Sequence, residues 1–274
     1  MTTTALHREE LSRGRKMLNK VPEVTLYFWV IKIMCTTVGE TAADYLNTNL
    51  GFGLTKTTYV TGALMVVLLA AQFRLRRYVP AVYWSVVVVI SVFGTLITDN
   101  MTDRYNIQLT TSTILFAVIL AAVFGAWYAS ERTLSIHTIF TTRREAFYWL
   151  AILFTFALGT AAGDLSAEKF SLGYGPSILI FGGMIAAVTL AHYALRLNAV
   201  LAFWLAYILT RPLGASIGDW MSQSSKKYGG LGLGTTGTSY IFLGCILVLV
   251  VFLSVTRRDA TETRSSTPPV PEPA

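Results

Sequence analysis

Charge is scarce in this chain. Asp, Glu, Lys and Arg make up 14% of its 274 residues, against roughly 25% in an ordinary globular protein. Cysteine is scarcer still. Cys35 and Cys245 are the only two, and both lie inside apolar blocks, which excludes a disulfide framework or a thiolate metal site. There are three histidines, His7, His137 and His192, and no His-Glu-x-x-His, so the zinc-hydrolase pattern is missing. No Gly-x-x-x-x-Gly-Lys-Ser/Thr occurs, and ATP is not expected to drive the protein directly. Gly232-Leu-Gly234-Thr-Thr-Gly237 has the spacing of a dinucleotide fingerprint. That motif needs a strand before it, whereas here it joins two apolar blocks and reads as a turn.

Apolar length is what the chain has instead. Hydrophobic residues are 53% of the sequence and the mean hydropathy is +0.54. They fall in blocks at about 24–43, 58–73, 80–98, 111–129, 146–163, 176–195, 199–218 and 239–256. At ~1.5 Å per residue each can cross ~30 Å of hydrocarbon with some tilt or an interfacial end. The fold class expected is an all-α polytopic membrane protein of about eight transmembrane helices. Fifteen of the 22 Lys and Arg fall on one side of such a topology and five on the other, with Lys32 and Arg211 inside spans. The positive-inside rule then puts both termini in the cytoplasm of a bacterial inner membrane. The net charge of +7 reflects loops facing anionic lipid rather than nucleic acid.

The chain divides into a basic N-terminal segment (1–23), a first half (24–129), a linker (130–144), a second half (145–256) and a tail (257–274). The tail carries Pro268, Pro269, Pro271 and Pro273 and is expected to be disordered.

Within the halves the sequence repeats itself four times. Aromatic–Trp pairs stand at Phe28-Trp29, Tyr83-Trp84, Tyr148-Trp149 and Phe203-Trp204. Ten residues after each Trp comes Gly39, Gly94, Gly159 or Gly214, and five further on comes Asp44, Asp99, Asp164 or Asp219. The aspartates are 55, 65 and 55 residues apart, so the halves repeat at 120. Two spans return the chain to the side it started from, which makes these parallel repeats about an axis along the membrane normal. The pattern resembles a bacterial membrane-protein family of four tandem two-helix repeats, each marked by a tryptophan, whose function is unknown. The resemblance runs from Val24 to Thr256; it implies the architecture and no activity.

Trp and Asp are about 22 Å apart along a helix, so they sit near opposite ends of a span. Trp29, Trp84, Trp149 and Trp204 are expected as an interfacial aromatic belt, with a cation–π or substrate role as the alternative. The glycines either let helices pack closely or let them break at a site. The aspartates either cap the following turns or form an ion or proton site, since a carboxylate at membrane depth faces protein or water rather than lipid. At successive four-residue steps below them stand Glu40, Thr36 and Lys32; Thr95 and Ser91; Thr160; and Ala215 and Arg211. His192, near the cytoplasmic end of its span, is expected as a hydrogen-bonded helix contact. The Gly163-Asp164 and Gly218-Asp219 steps resemble part of the Glu-x-Gly-Asp signature of a cation-exchanger family, without its preceding Glu or following Lys.

These residues lead to one expectation: a secondary transporter or carrier of a small cation, a divalent metal or proton-coupled, built on intramembrane carboxylates. Hydroxyl and carboxylate oxygens suit hard cations. Glu40, Asp44, Asp99 and Asp164 are expected to line one polar cavity with Thr95 and Thr160. Arg211 is expected to neutralise Asp219 or Glu40, and Lys32 to serve as a charge that a bound cation displaces. The rival is a non-transporting membrane scaffold or sensor, in which the Asp and Trp rows are structural. No enzyme activity, cofactor or nucleic-acid partner is expected; the bilayer is.

Overall fold

A computed structural model describes residues 19–169, 173–224 and 230–259. Arg8, Arg13, Arg15, Lys16, Lys226, Lys227 and the proline-rich tail lie outside the described residues. Eight long helices follow one another: α1 (Leu26–Asp44), α2 (Gly53–Arg74), α3 (Pro80–Asp99), α4 (Leu109–Glu131), α5 (Thr142–Asp164), α6 (Tyr174–Ala194), α7 (Ala199–Ser222) and α8 (Gly234–Thr256). No strand occurs among the described residues, which disposes of the dinucleotide fingerprint. Gly232 and Gly234 instead sit at φ 73° and 72° in the turn before α8, as Gly51 and Gly53 do before α2. Only glycine takes that left-handed backbone without strain.

The starts of the odd helices are written in the sequence. The Thr25 hydroxyl accepts from the Phe28 amide, Thr141 from Arg144, and Asn198 from Val200 and Leu201. Pro80 opens α3 at its first turn. Side-chain oxygens at the N-cap and proline at the first position are the standard ways to satisfy or remove orphan amides. At the other end α1, α3 and α5 each run straight from the motif aspartate into one π-turn, Tyr45–Asn49, Asn100–Arg104 and Leu165–Lys169.

The odd helices α1, α3, α5 and α7 form a closed inner ring, each packed on the next and α7 on α1. The even helices lie outside it. Each packs chiefly on the odd helix of the following repeat: α2 on α3, α4 on α5, α6 on α7, and α8 back on α1. The outer helices present apolar side chains outward, among them Val66, Val67, Val118, Leu179, Val248 and Val255. Seven of the eight helices are long and apolar enough to cross a membrane. α1 falls short because Lys32 and Glu40 stand among its buried residues, in the ring interior rather than towards lipid.

Two expectations change. Lys20, counted from sequence as a loop charge facing lipid, is buried; its Nζ lies 2.6 Å from Glu145 Oε2. Three of the four motif tryptophans do not face lipid, and Trp29 is half-buried. Trp84, Trp149 and Trp204 are 1–4% exposed because they pack within the ring. Phe28 meets Trp84 at 5.6 Å between ring centroids, Tyr83 meets Trp149 at 5.3 Å, Tyr148 meets Trp204 at 6.3 Å and Phe203 meets Trp29 at 5.7 Å. Each repeat hands its aromatic to the tryptophan of the next, round to the first.

Candidate functional site

The inner ring is built in layers, because residues four apart share a helix face. The motif aspartates form the top layer. One turn down come Glu40, Thr95, Thr160 and Ala215; then Thr36, Ser91, Phe156 and Arg211; then Lys32, Val87, Ile152 and Tyr207. All twelve of these are buried. The bottom layer is the aromatic row Phe28, Tyr83, Tyr148 and Phe203.

The glycines decide how close the helices come. A Cβ on Gly39 would overlap Ser91, one on Gly94 would lie 2.7 Å from Phe156 Cβ, one on Gly159 would overlap the Arg211 stem, and one on Gly214 would overlap Thr36. Every glycine thus receives the third-layer residue of the next helix around the ring. Close packing is the role the structure gives them, and the helices run through these positions unbroken.

At the centre of the ring is Arg211. Its Nη1 donates to the Thr36 carbonyl at 2.8 Å; its Nη2 donates to Glu40 Oε2 at 3.1 Å, to Thr160 Oγ1 at 2.7 Å and to Thr95 Oγ1. One guanidinium on α7 therefore ties α1, α3 and α5 together. Of the two acids expected as its partner, the ion pair is with Glu40. A buried arginine unpaired would cost several kcal/mol, and the carboxylate offsets that cost only with the remaining donors satisfied. The Thr36 carbonyl and the hydroxyls of Thr95 and Thr160 take the Nη donors, rather than lining an open cavity, while Nε is buried without a hydrogen-bond partner.

Above this plug the aspartates converge. Asp99 lies in electrostatic reach of Glu40, Asp44, Asp103 and Asp164, and Asp219 in reach of Glu40, Asp44, Asp164 and Arg211. Asp44, Asp99 and Asp164 are half-buried and Asp219 is buried. Among the described residues the mouth thus gathers Glu40, the four motif aspartates and Asp103 above Arg211. Among the described residues no three His, Cys, Asp or Glu side chains come together as a metal-ion site.

Lys32 is not where the displaced-charge idea needs it. The Arg211 layer separates it from the acids, and its Nζ lies 4.2 Å from the ring centroids of both Phe156 and Tyr207 and 3.3 Å from Thr210 Oγ1. Below it the Tyr83 and Tyr148 hydroxyls meet at 2.5 Å. Beyond the helices, Tyr78 donates to Asp259 Oδ2 at 2.5 Å. Burial pushes the Asp259 carboxyl above its usual range, and the Tyr78 hydrogen bond draws it part of the way back.

Sequence reasoning passed over Thr210, Tyr207, Phe156 and Glu145. Tyr207 and Phe156 stand on positions that the four-residue spacing below Asp219 and Asp164 would have marked had it been continued; Thr210, next to Arg211 in the chain, lies off that spacing. Glu145 gave no signal, because its partners Lys20 and Gln72 (Nε2 to Oε1 3.2 Å) come from the N-terminal segment and from the first repeat. His192 makes the helix contact expected, its Nδ1 2.8 Å from the Leu197 carbonyl. It also lines a cleft of about 360 Å³ with Trp29, His137 and Phe203, at the end of the bundle away from the acids.

A family model described as Repeat of Unknown Function (DUF347) matches the chain four times, over residues 27–78, 82–133, 147–198 and 202–259. No curated protein and no solved structure matches it.

Proposed function

The chain belongs to this family of four tandem membrane-helix repeats, and on that footing we propose that it is a secondary carrier of a small cation, with the proton as the favoured cargo. One observation carries the reading: every repeat brings its aspartate to the same end of the inner ring, where Asp44, Asp99 and Asp219 lie in electrostatic reach of Glu40 and Asp164 lies in reach of Asp99 and Asp219. Four helix-end caps serving separate turns would have no need to converge. Carboxylates and hydroxyls can pass a proton as they stand, whereas a divalent metal would need a tighter set of ligands than the described residues provide. On this reading Arg211 with Glu40, Thr95 and Thr160 is the closed point of the path, and Asp44, Asp99, Asp164 and Asp219 are its entry. The protein is then a carrier and not an enzyme, and its partners are the bilayer and the cation.

Purified protein in liposomes, with a trapped pH indicator and a panel of metal gradients, tests the reading. Proton movement that Glu40→Gln and Asp99→Asn both abolish, with folding retained, is the expected result. Variants that fold and conduct like the parent would leave the acids as caps. The orientation belongs to the same proposal: a cysteine at Arg76 should react from the cytoplasmic side and one at Asn106 from the outside.

A second reading has its own support. The tryptophan and glycine rows are both spent on closing the ring, as a scaffold would spend them. Absence of flux for every ion, with full stability, would favour it.

A further inference from the structure

Among the described residues three Lys and Arg side chains are buried, Lys20, Lys32 and Arg211, and two of them hold a carboxylate. Lys20 pairs with Glu145 at 2.6 Å and Arg211 with Glu40 at 3.1 Å. Lys32, equally buried, has no carboxylate within ion-pair distance among the described residues. We propose that Lys32 is a proton-binding site on the axis of the ring, alternating between ammonium and amine as protons pass from the carboxylate mouth to the tyrosine end. The proposal rests on the carrier reading above and adds the central station of the path.

Its surroundings accommodate both forms. The ammonium is held by the faces of Phe156 and Tyr207, each 4.2 Å from Nζ, in a cation–π clamp. The Thr210 hydroxyl accepts from Nζ at 3.3 Å while donating to the Tyr207 carbonyl at 2.7 Å; turning that O–H towards the amine lone pair would let it donate instead. The charged and titratable groups that face Lys32 are Arg211 and Tyr207 from α7 and Cys35 from α1 itself. From α5 the facing group is Phe156. The titratable residues of α3, Tyr83 and Asp99, stand at its two ends, and Tyr240 and Cys245 of α8 are exposed. Arg211 does not give up its proton, so of these two facing cations Lys32 is the one that can release one.

The neighbours extend the path both ways. Towards the mouth, Thr36 stands one turn from Lys32 and Glu40 two turns, about 12 Å along the helix, with the Thr36 hydroxyl 3.2 Å from the Thr210 carbonyl. Towards the other end the Tyr207 hydroxyl is buried with no hydrogen-bond partner. The Tyr83 phenol lies in electrostatic reach of Tyr207, Tyr148 and Tyr78, and Tyr78 reaches Asp259. The transfer balances simply. A carboxylic acid loses its proton to become carboxylate, and the Nζ lone pair takes that proton. The ammonium then loses a proton towards the phenols, each hydroxyl releasing one for every one it accepts.

The test compares the full chain, Lys32→Met, Lys32→Arg and Glu40→Gln in liposomes carrying a pH indicator. Lys32→Arg keeps the charge and the aromatic clamp but cannot release a proton. Both Lys32 variants should lose proton flux by about a hundredfold, the scale of removing a positioned proton-transfer group. Flux lost in Glu40→Gln but kept in either folded Lys32 variant overturns the inference and leaves the carrier reading standing. If the unmodified protein moves no protons, the carrier reading fails, and a second measurement decides whether Lys32 binds a proton at all. The gap in melting temperature between the parent and Lys32→Met, in detergent between about pH 5 and pH 9, should change with pH, because a titrating group couples protons to folding. A constant gap across that range overturns the proposal whatever the flux.

Discussion

Gly159 on α5 lies against Cβ and Cγ of Arg211 on α7, so the guanidinium that ties the inner ring together reaches its place because a side chain is missing opposite it. The same contact recurs at Gly214 against Thr36, where α7 closes on α1.

Gly159→Ala should therefore be costly. Its Cβ would strike the stem of Arg211 and approach Pro212 Cδ, neither of which is a free side-chain end. Overpacking of this kind costs about 1–3 kcal/mol. Gly183→Ala, with nothing within 4 Å of its Cβ, should melt at or above the parent temperature, since alanine is the better helix former. Equal melting of parent and Gly159→Ala in detergent would show that the ring has slack at this contact.

Breaking the central ion pair from one side should cost more than removing it whole. Arg211→Met strands the Glu40 carboxylate, a loss of about 3–5 kcal/mol for a buried pair. Glu40→Gln strands the guanidinium in turn. The double variant should be less destabilised than the sum of the two, by about 0.5–3 kcal/mol. Strict additivity in thermal unfolding would mean that the two side chains do not feel each other.

The tryptophans offer a sharp comparison with an interfacial belt. Trp84 packs against Phe28 and Tyr83 inside the ring, so Trp84→Ala should destabilise by about 3–5 kcal/mol even in detergent. Leu179→Ala, at a position 78% exposed, should change melting little. A Trp84 that served only to anchor the protein at a lipid interface would behave like Leu179.

A pH effect should come from the Tyr78–Asp259 contact. Burial raises the Asp259 carboxyl in the folded chain, so the fold prefers its protonated form. The stability this contributes is fully present below the ordinary carboxyl range and is lost as pH rises through the raised folded value. Asp259→Asn should flatten that slope in a melting series. Tyr78→Phe should steepen it, because the phenol's hydrogen bond, 2.5 Å from Oδ2, supports the charged form. A slope unchanged by either variant would locate the titration elsewhere.

The helices themselves were legible, since a block of apolar residues bounded by Thr25, Pro80, Thr141 or Asn198 announces both a span and its start. Spacing also marked the layers: Glu40, Thr95 and Thr160 share a level because each precedes its aspartate by four. What spacing does not carry is which neighbour a residue meets. The tryptophans read as interfacial because their partners, Phe28 for Trp84 and Tyr83 for Trp149, belong to the preceding repeat. Lys32 was misplaced for a related reason. Along α1 it is two turns from Glu40, but the space between them is filled by Arg211, which enters from α7.

The forward step in pairing, each outer helix resting on the repeat that follows, bears on what half of this molecule would be. Cut between α4 and α5, the first half keeps α2 on α3 but leaves α4 without the surface it covers and α1 without α8. The two vacancies are complementary, related by the same 120-residue shift that relates the halves. Two copies of such a fragment, turned by half a revolution about the axis, would fill each other's gaps in an isologous pair. In that light the single chain is a twofold assembly whose subunits have been joined end to end. Joined in one chain, the two sides need not be alike, and they are not: the lysine and glutamate stand on one and the arginine on the other.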